Sequence, residues 1–489
     1  MIKACSRAAA DLAGGNAGPT RKITTRQEPS PCAIRMCPRS PRRTPLPSRD
    51  PSRSPSSRAE VIMGSSIRTL AGKGGAACAL FVLGVPADAG FIEDSQGSLT
   101  LRNFYFDRDY KGESNVSARR EWAQGFILNL KSGFTEGPIG FGLDLQGMLG
   151  VQLDSSRDRA GTGLLPVERG SGEAQDSYAE LGITGKIRYS KTELHLGTVM
   201  PRLPILISSP ARMLWQTFKG GHLRSTDIPG LSLQAGYLNR MNQRDSTDYQ
   251  KIAIAGPNGR FDGTAESDEF LFLGGDYALG KNLTLSYWHA RLDEIYQQNY
   301  LGAIHQLKWG PGEFKTDFRW FLSDEEGEGK AGSVDNQYVG LNFGYKLGGH
   351  RLTVGGALSS GDSAMPYIAG SEPHLISEYA ISSEFLNADE HFWHVRYEYD
   401  FAAAGLPGLI GVARFMKGTN AELPERLGGG NREETERYLE LSYVVQSGPL
   451  KNVALRLRNS RYQNSFAPNA TMRDDNETRI NVDYTWKLW

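Results

Sequence analysis

Beyond about residue 90, apolar and polar residues alternate with period two through most of this chain. In "WHVRYEYDF" (393–401), Trp393, Val395, Tyr397, Tyr399 and Phe401 share one face, and His394, Arg396, Glu398 and Asp400 share the other. "GFGLDLQGMLGVQL" (140–153) puts Phe141, Leu143, Leu145, Leu149, Val151 and Leu153 together, and "YAELGITGKIRY" (178–189), "YVGLNFGYKL" (338–347) and "RINVDYTWKL" (479–488) repeat the pattern. A period of two marks a strand with two unlike faces. No 3.6-residue period is sustained, and no apolar run after Gly90 is long enough to span a bilayer as a helix.

Eighteen such segments can be marked. The first nine are 97–107, 119–133, 137–153, 175–190, 191–200, 217–227, 229–243, 267–278 and 281–294. The rest are 297–309, 312–324, 334–346, 349–361, 389–401, 406–418, 433–446, 449–463 and 476–488. An even number is what a closed single-chain bacterial barrel needs. Their connections alternate between tight turns, such as "TEGP", "LGKN", "GPGE", "KLGGH" and "SGP", and long polar stretches, such as 154–174, 244–266, 324–333, 362–388 and 419–432. Only 295–296 breaks the alternation. Strands of a soluble sandwich or propeller would run nearer about five or six residues. The expected fold is therefore all-β: an 18-stranded antiparallel transmembrane β-barrel with short periplasmic turns and long, partly inward-folded outer loops. Apolar faces then meet lipid and polar faces line a lumen wide enough for water, which reconciles a membrane protein with a mean hydropathy of −0.43.

The front of the chain differs in kind. Residues 1–62 are rich in Pro, Arg and Ser with no apolar period, as expected of a mis-assigned start or a disordered extension. From Met63, a short basic start (Arg68, Lys73), an apolar run through Val85 and Ala87-Asp88-Ala89 read as a signal peptide (63–89), which leaves 90–489 as the barrel. Residues 1–89 carry 14 of the 55 basic and 5 of the 55 acidic groups, leaving 41 and 50, a net charge of about −9 that argues against a nucleic-acid partner. All four cysteines (Cys5, Cys32, Cys37, Cys78) precede residue 90, so neither disulfides nor Cys-ligated metals are expected in the barrel.

Several stretches also resemble a known family. "LTLRNFYFDRD" (99–109), "EWAQGFILNLKSGF" (121–134), "PARMLWQTFKG" (210–220), "LPGLIGVARFMKG" (406–418), "YVVQSGPLKNVALRLRNS" (443–460) and "DDNETRINVDY" (474–484) look like those of the OprD-type substrate-specific porins of Gram-negative outer membranes. The resemblance runs from about Gly90 to Trp489. It implies eighteen strands narrowed by inward-folded loops, a ladder of arginines on one wall, and passage of small carboxylates. One departure is Trp489, whose parity is opposite to that of Leu488, Trp486 and Tyr484.

Carried through the last strands, the alternation turns Arg396, Arg414, Arg456, Arg458 and Arg479 inward, on one side of the barrel. Arg102 of the first strand extends the row across the closure. At about 3.3 Å per residue, Arg396, Arg414 and Arg456 fall near the membrane midplane. A guanidinium fork grips a carboxylate and stays charged, and a row of them lets an anion step from site to site without deep trapping. Pairing with the lumen acids Glu398, Asp400, Glu440 or Asp483 is the structural alternative.

The proline-rich, apolar "PRLPILISSPARMLWQTFKG" (201–220) suggests a loop folded into the lumen, with Ser208, Ser209 and Arg212 at the constriction. The segment 361–391, with Asp362, Ser363, Tyr367, Glu372, Glu378 and Glu384, could face it. An acidic loop opposite a basic wall would suit a zwitterionic or amine-bearing acid. No cofactor or metal is expected: His391 and His394 fall on opposite strand faces, and "DEEGEGK" (324–330) lacks calcium-loop spacing.

The function expected is a passive channel for small carboxylates, amino acids or organic and aromatic acids, in a Gram-negative outer membrane. Its partners would be outer-membrane lipid, lipopolysaccharide and, during insertion, the barrel-assembly machinery, with the chain a monomer or weak trimer. The alternative, a barrel lipid or ester hydrolase, would need an outward Ser/His pair, and the alternation supplies none. An active siderophore-type transporter would need a plug domain, yet the first strand begins about seven residues beyond the cleavage site.

Overall fold

The computed structural model describes residues 89–112, 116–377 and 380–489. The expected extension (1–62), the signal peptide (63–89, Ala89 excepted) and Glu378 lie outside the described residues. Ala89–Glu93 forms a helical turn ahead of the first strand.

Eighteen long strands follow. They are β1 (Gln96–Tyr110), β2 (Ala118–Lys131), β3 (Ile139–Asp154), β4 (Ser177–Tyr189), β5 (Thr192–Val199), β6 (Thr217–Ser225), β7 (Leu231–Asn242), β8 (Phe270–Leu279) and β9 (Leu283–Leu292). The second half comprises β10 (Tyr296–Trp309), β11 (Gly312–Glu325), β12 (Asp335–Leu347), β13 (His350–Ser360), β14 (His391–Asp400), β15 (Leu409–Ala421), β16 (Arg432–Val444), β17 (Ala454–Asn464) and β18 (Asp475–Lys487). Each pairs antiparallel with its sequence neighbour, and β18 returns to β1, so the barrel closes and no edge is left exposed.

All eighteen expected segments are present. The largest displacement is at β17, which begins at Ala454 rather than 449. There the chain turns instead: Asn452 takes a positive φ of 70° and Val453 donates to the Leu450 carbonyl. The short β9–β10 connection comprises residues 293–295.

Outward positions on β14 behave as expected of lipid-facing residues: Trp393, Val395 and Tyr397 are all exposed, while His394 is buried on the inner face. The inner face as a whole, however, is less polar than the alternation suggests. Phe104, Phe106, Ala123, Ile127, Met148 and Tyr178 point inward and bury against Leu164, Leu165, Met213 and Leu214, which come from loops. A larger inward cluster joins Phe270, Trp288, Tyr300, Phe321 and Tyr338 of the wall to Leu203, Leu206, Ile252, Ile254, Met365, Ile368, Leu375 and Ile376. Loops inside a barrel need an apolar floor, so part of the inner wall is core rather than pore lining.

The loop of 200–216 enters the lumen where the wall bends. Gly197 and Gly220 face each other across β5 and β6, both at positive φ, and the register slips at Lys219/Gly220. A Cβ on Gly197 would meet the Ile183 carbonyl oxygen at 2.2 Å, and one on Gly220 the Tyr237 carbonyl oxygen at 2.0 Å. Only glycine tolerates that approach.

Candidate functional site

Three loops meet inside the barrel: 200–216, 243–269 and 361–390. Glu372 N–H donates to the Ile207 carbonyl, Ala369 N–H to that of Ala253 and Ala255 N–H to that of Tyr367. The loop of 361–390 therefore touches 200–216 directly rather than facing it across a gap. The participation of 243–269, which reads from sequence as a long polar connection (244–266), comes from Ile252, Ile254 and Phe261, all buried.

Two acids of the 361–390 loop are engaged. Glu384 accepts from Arg260 at 2.6 Å and from Tyr367, and Glu372 accepts from Ser209 Oγ at 3.1 Å. Ser209 also takes a bond from Arg244 at 3.1 Å, and Ser208 is buried beside it. Ser363 bonds Asp335 at the outer end of β12 and so anchors the loop, and Asp362 next to it is exposed.

All six arginines of the expected row sit on the inner face, but they divide by what they hold. Arg102 donates to the carbonyls of Pro210 (3.2 Å) and Arg212 (3.0 Å) and to Asp483 (3.1 Å). Arg414 donates to the Ile376 carbonyl at 2.9 Å and to His394 Nδ1 at 3.2 Å. Arg479 holds the Ile381 carbonyl at 3.2 Å and pairs with Glu477. These three clasp the loops, and carbonyls suit them because burial would leave a bare guanidinium unsatisfied.

Arg396 and Arg456 reach the lumen, 25 % and 41 % exposed, each steadied by a carboxylate: Glu398 at 2.7 Å and Glu440 at 2.6 Å. Arg458 lies between the two sets, bonded to Asn481 at 2.6 Å and 5.8 Å from the Phe104 ring centroid. In register, Arg396 directly opposes Arg414, and Arg458 directly opposes Arg479.

Arg212 descends onto this wall from the 200–216 loop. It donates to the Thr162 carbonyl at 3.1 Å and lies over the Phe106 ring at 5.4 Å, a ring that Arg108 and Arg479 also cover. Burial, and then the charges of Arg479 and Arg244, hold its guanidinium well below the usual range. Glu477, which pairs with both Arg108 and Arg479, and Asp475, 3.5 Å from Arg108, offset part of this positive charge.

Two cavities continue the polar path toward the tight turns. One, of 260 Å³, is lined by Lys315, Lys346, Arg351, Arg396 and Arg414, with Glu313 and Asp317 among them. The other, of 280 Å³, is lined by Lys131, Arg202, Arg224, His195, His222 and Asp144. Beyond the six expected arginines, Arg108, Lys315 and Arg351 also face inward, as does Arg319, which pairs with Asp317 at 2.8 Å and donates to the Leu375 carbonyl at 2.7 Å. The period-two rule would have found Arg108, because 102, 104, 106 and 108 share a face. Among the described residues no group of His, Cys, Asp and Glu is placed to hold a metal.

The family profile described as outer membrane porin, OprD family, matches residues 89–488. This chain belongs to the OprD family. It is 35 % identical over 401 residues to the porin-like protein GalP of Pseudomonas putida, covering 82 % of this chain and 93 % of that one. Among solved structures, OccAB2 of Acinetobacter baumannii is 44 % identical with a TM-score of 0.78, covering 82 % of this chain and all of that one. OpdK of Pseudomonas aeruginosa, solved with vanillate, is 36 % identical with a TM-score of 0.76 at the same coverage. The protein is thus a substrate-specific porin of the Gram-negative outer membrane, and its relatives are channels.

Proposed function

We propose that this porin passes small solutes bearing a carboxylate, which move along the wall formed by β14–β18 and β1. The observation that carries this reading is the pair of directly opposed guanidinium couples, Arg396/Arg414 and Arg458/Arg479, with the water-accessible Arg456 beside them. Like charges placed opposite one another destabilise a sheet, so this concentration of guanidinium groups behind the water-accessible Arg396 and Arg456 favours an anion as visitor. Arg396 and Arg456 are the rungs an anion meets. Arg102, Arg414 and Arg479 support them by holding the loops that narrow the passage. Partial neutralisation by Glu398 and Glu440 keeps each stop shallow, as conduction requires. Vanillate, seen with the OpdK relative, makes aromatic carboxylates the first class to test.

The test is flux into liposomes for a panel of basic amino acids, short dicarboxylates and aromatic acids, with a neutral solute of similar size as control. Replacing Arg456 and Arg458 together with Ala should slow the carboxylates about tenfold, about one charge-assisted hydrogen bond lost. The neutral solute should change much less, and a Lys pair should fall between because charge survives without the fork. Equal slowing of neutral and anionic solutes would refute the pathway.

A further inference from the structure

The outer surface of β16 and β17 carries arginines that the permeation path does not use. Facing outward on β16 are Leu441, Leu439 and then Arg437; facing outward on β17 are Leu455, Leu457, Asn459 and then Arg461. Leu439 and Leu457 are 58 % and 46 % exposed, as lipid-facing residues are. Arg437 and Arg461 are exposed and directly opposed across the strand pair. Among the described residues neither guanidinium has a hydrogen-bond or ion-pair partner. The residues between them and the pore, Glu436 and Tyr438, point inward and are buried.

Their height is set by the strands. Arg437 is five residues below Arg432, the outer end of β16, and Arg461 three below Asn464, the outer end of β17. Arginine on the outward face costs about 2–4 kcal/mol at the bilayer midplane and about 0–1 near an interface. Two bare arginines therefore belong at the outer head-group level. The nearest outward neighbours are polar and uncharged: Asn459 donates to Asn476 Oδ1 at 3.1 Å and to Thr478 Oγ1 at 3.0 Å, and Gln463 is exposed. Farther along the row, the β1 acids are already paired, Asp109 with Lys111 and Asp107 with Arg120. Lys417, also on this face, is occupied by Glu433 at 3.0 Å.

We propose that Arg437 and Arg461 clamp a phosphate on the head group of an outer-leaflet glycolipid, lipid A in chemistry. Two forks converging on one phosphate turn an unfavourable like-charge contact into bidentate recognition. The leucine rows immediately below would lie along its acyl chains, and the amides of Asn459, Asn476 and Gln463 suit sugar hydroxyls. The clamp is independent of the carboxylate pathway on the other face.

The test uses the full-length barrel in detergent, with lipid binding read by native mass spectrometry. The probes are bis-phosphorylated lipid A, the same lipid A dephosphorylated, and inorganic phosphate. Each arginine near an anionic head group contributes a factor of roughly five, so R437A/R461A should bind phosphorylated lipid A roughly 30-fold more weakly. The dephosphorylated lipid should bind both proteins alike. If the Ala pair fails to insert, R437Q/R461Q serves, with the same loss expected. Three outcomes would overturn the proposal. They are equal binding of phosphorylated lipid A by variant and wild type, inorganic phosphate binding as tightly as the lipid, and a change of oligomeric state in the variant with lipid binding intact, which would make this face an interface between copies.

Discussion

The inner and outer faces of β16–β18 carry the same residue type under different conditions. Inside, Arg456, Arg458 and Arg479 each bond a carboxylate, an amide or a loop carbonyl. Outside, Arg437 and Arg461 bond nothing among the described residues. The strands are shared and the spacing is the same, so the difference lies in the medium. An inward guanidinium that loses water must replace it with protein acceptors, because burial without partners is costly. An outward one at the interface keeps access to water and lipid head groups. The contrast teaches that direction is set by parity, whereas engagement is set by what the loops bring.

The largest effect that would break this contrast is at Arg479. Its side chain is buried, its carboxylate partner Glu477 is completely so, and it also holds the loop of 361–390 through the Ile381 carbonyl. Arg108 also holds Glu477, so the acid keeps a partner, and Arg479→Ala should destabilise the barrel by about 1.5–3 kcal/mol, the range for a lost hydrogen bond to a charged group, measured by urea unfolding in lipid. A change below about 0.5 kcal/mol, the ordinary surface range, would mean that inner and outer arginines are equivalent.

A smaller effect tests the loop those arginines hold. Burial, and then Arg319 nearby, push the His374 imidazole down to about 3, and its ring stands edge-on to Tyr300. The folded state thus prefers the neutral ring. Its contribution is complete above the unfolded value of about 6.5 and is lost as pH falls from there toward 3. Wild type should lose stability between pH 7 and 4.5, and His374→Gln should lose less. Identical losses in the two proteins would show that the ring does not couple to the loop.

The smallest effect sharpens the comparison from the other side. R437A/R461A should leave carboxylate flux unchanged and stability within about 0.5 kcal/mol in lipid-free detergent. A fall in flux would show that the outer pair communicates with the pore.

Period-two patterning over residues 96–487 was enough to determine an eighteen-strand closed barrel and to send the six arginines inward, because side-chain direction in a strand is a local property of the backbone. It also marked 201–220 as an inward loop, since three prolines and a row of apolar residues have no use in solvent. What it left open was which inward positions are pore. Phe104, Phe106 and Phe321 obey the alternation yet serve as floor for the loops, and the 243–269 segment reads as polar although Ile252 and Ile254 bury inside the barrel. Only the tertiary structure decided that Arg102, Arg414 and Arg479 grip loop carbonyls while Arg396 and Arg456 face water. The physical reason is that their partners lie 38 to 108 residues away in sequence: Pro210 for Arg102, Ile376 for Arg414 and Ile381 for Arg479. Whether a charge is spent on the fold or offered to a solute depends on those distant acceptors, and no local pattern encodes them.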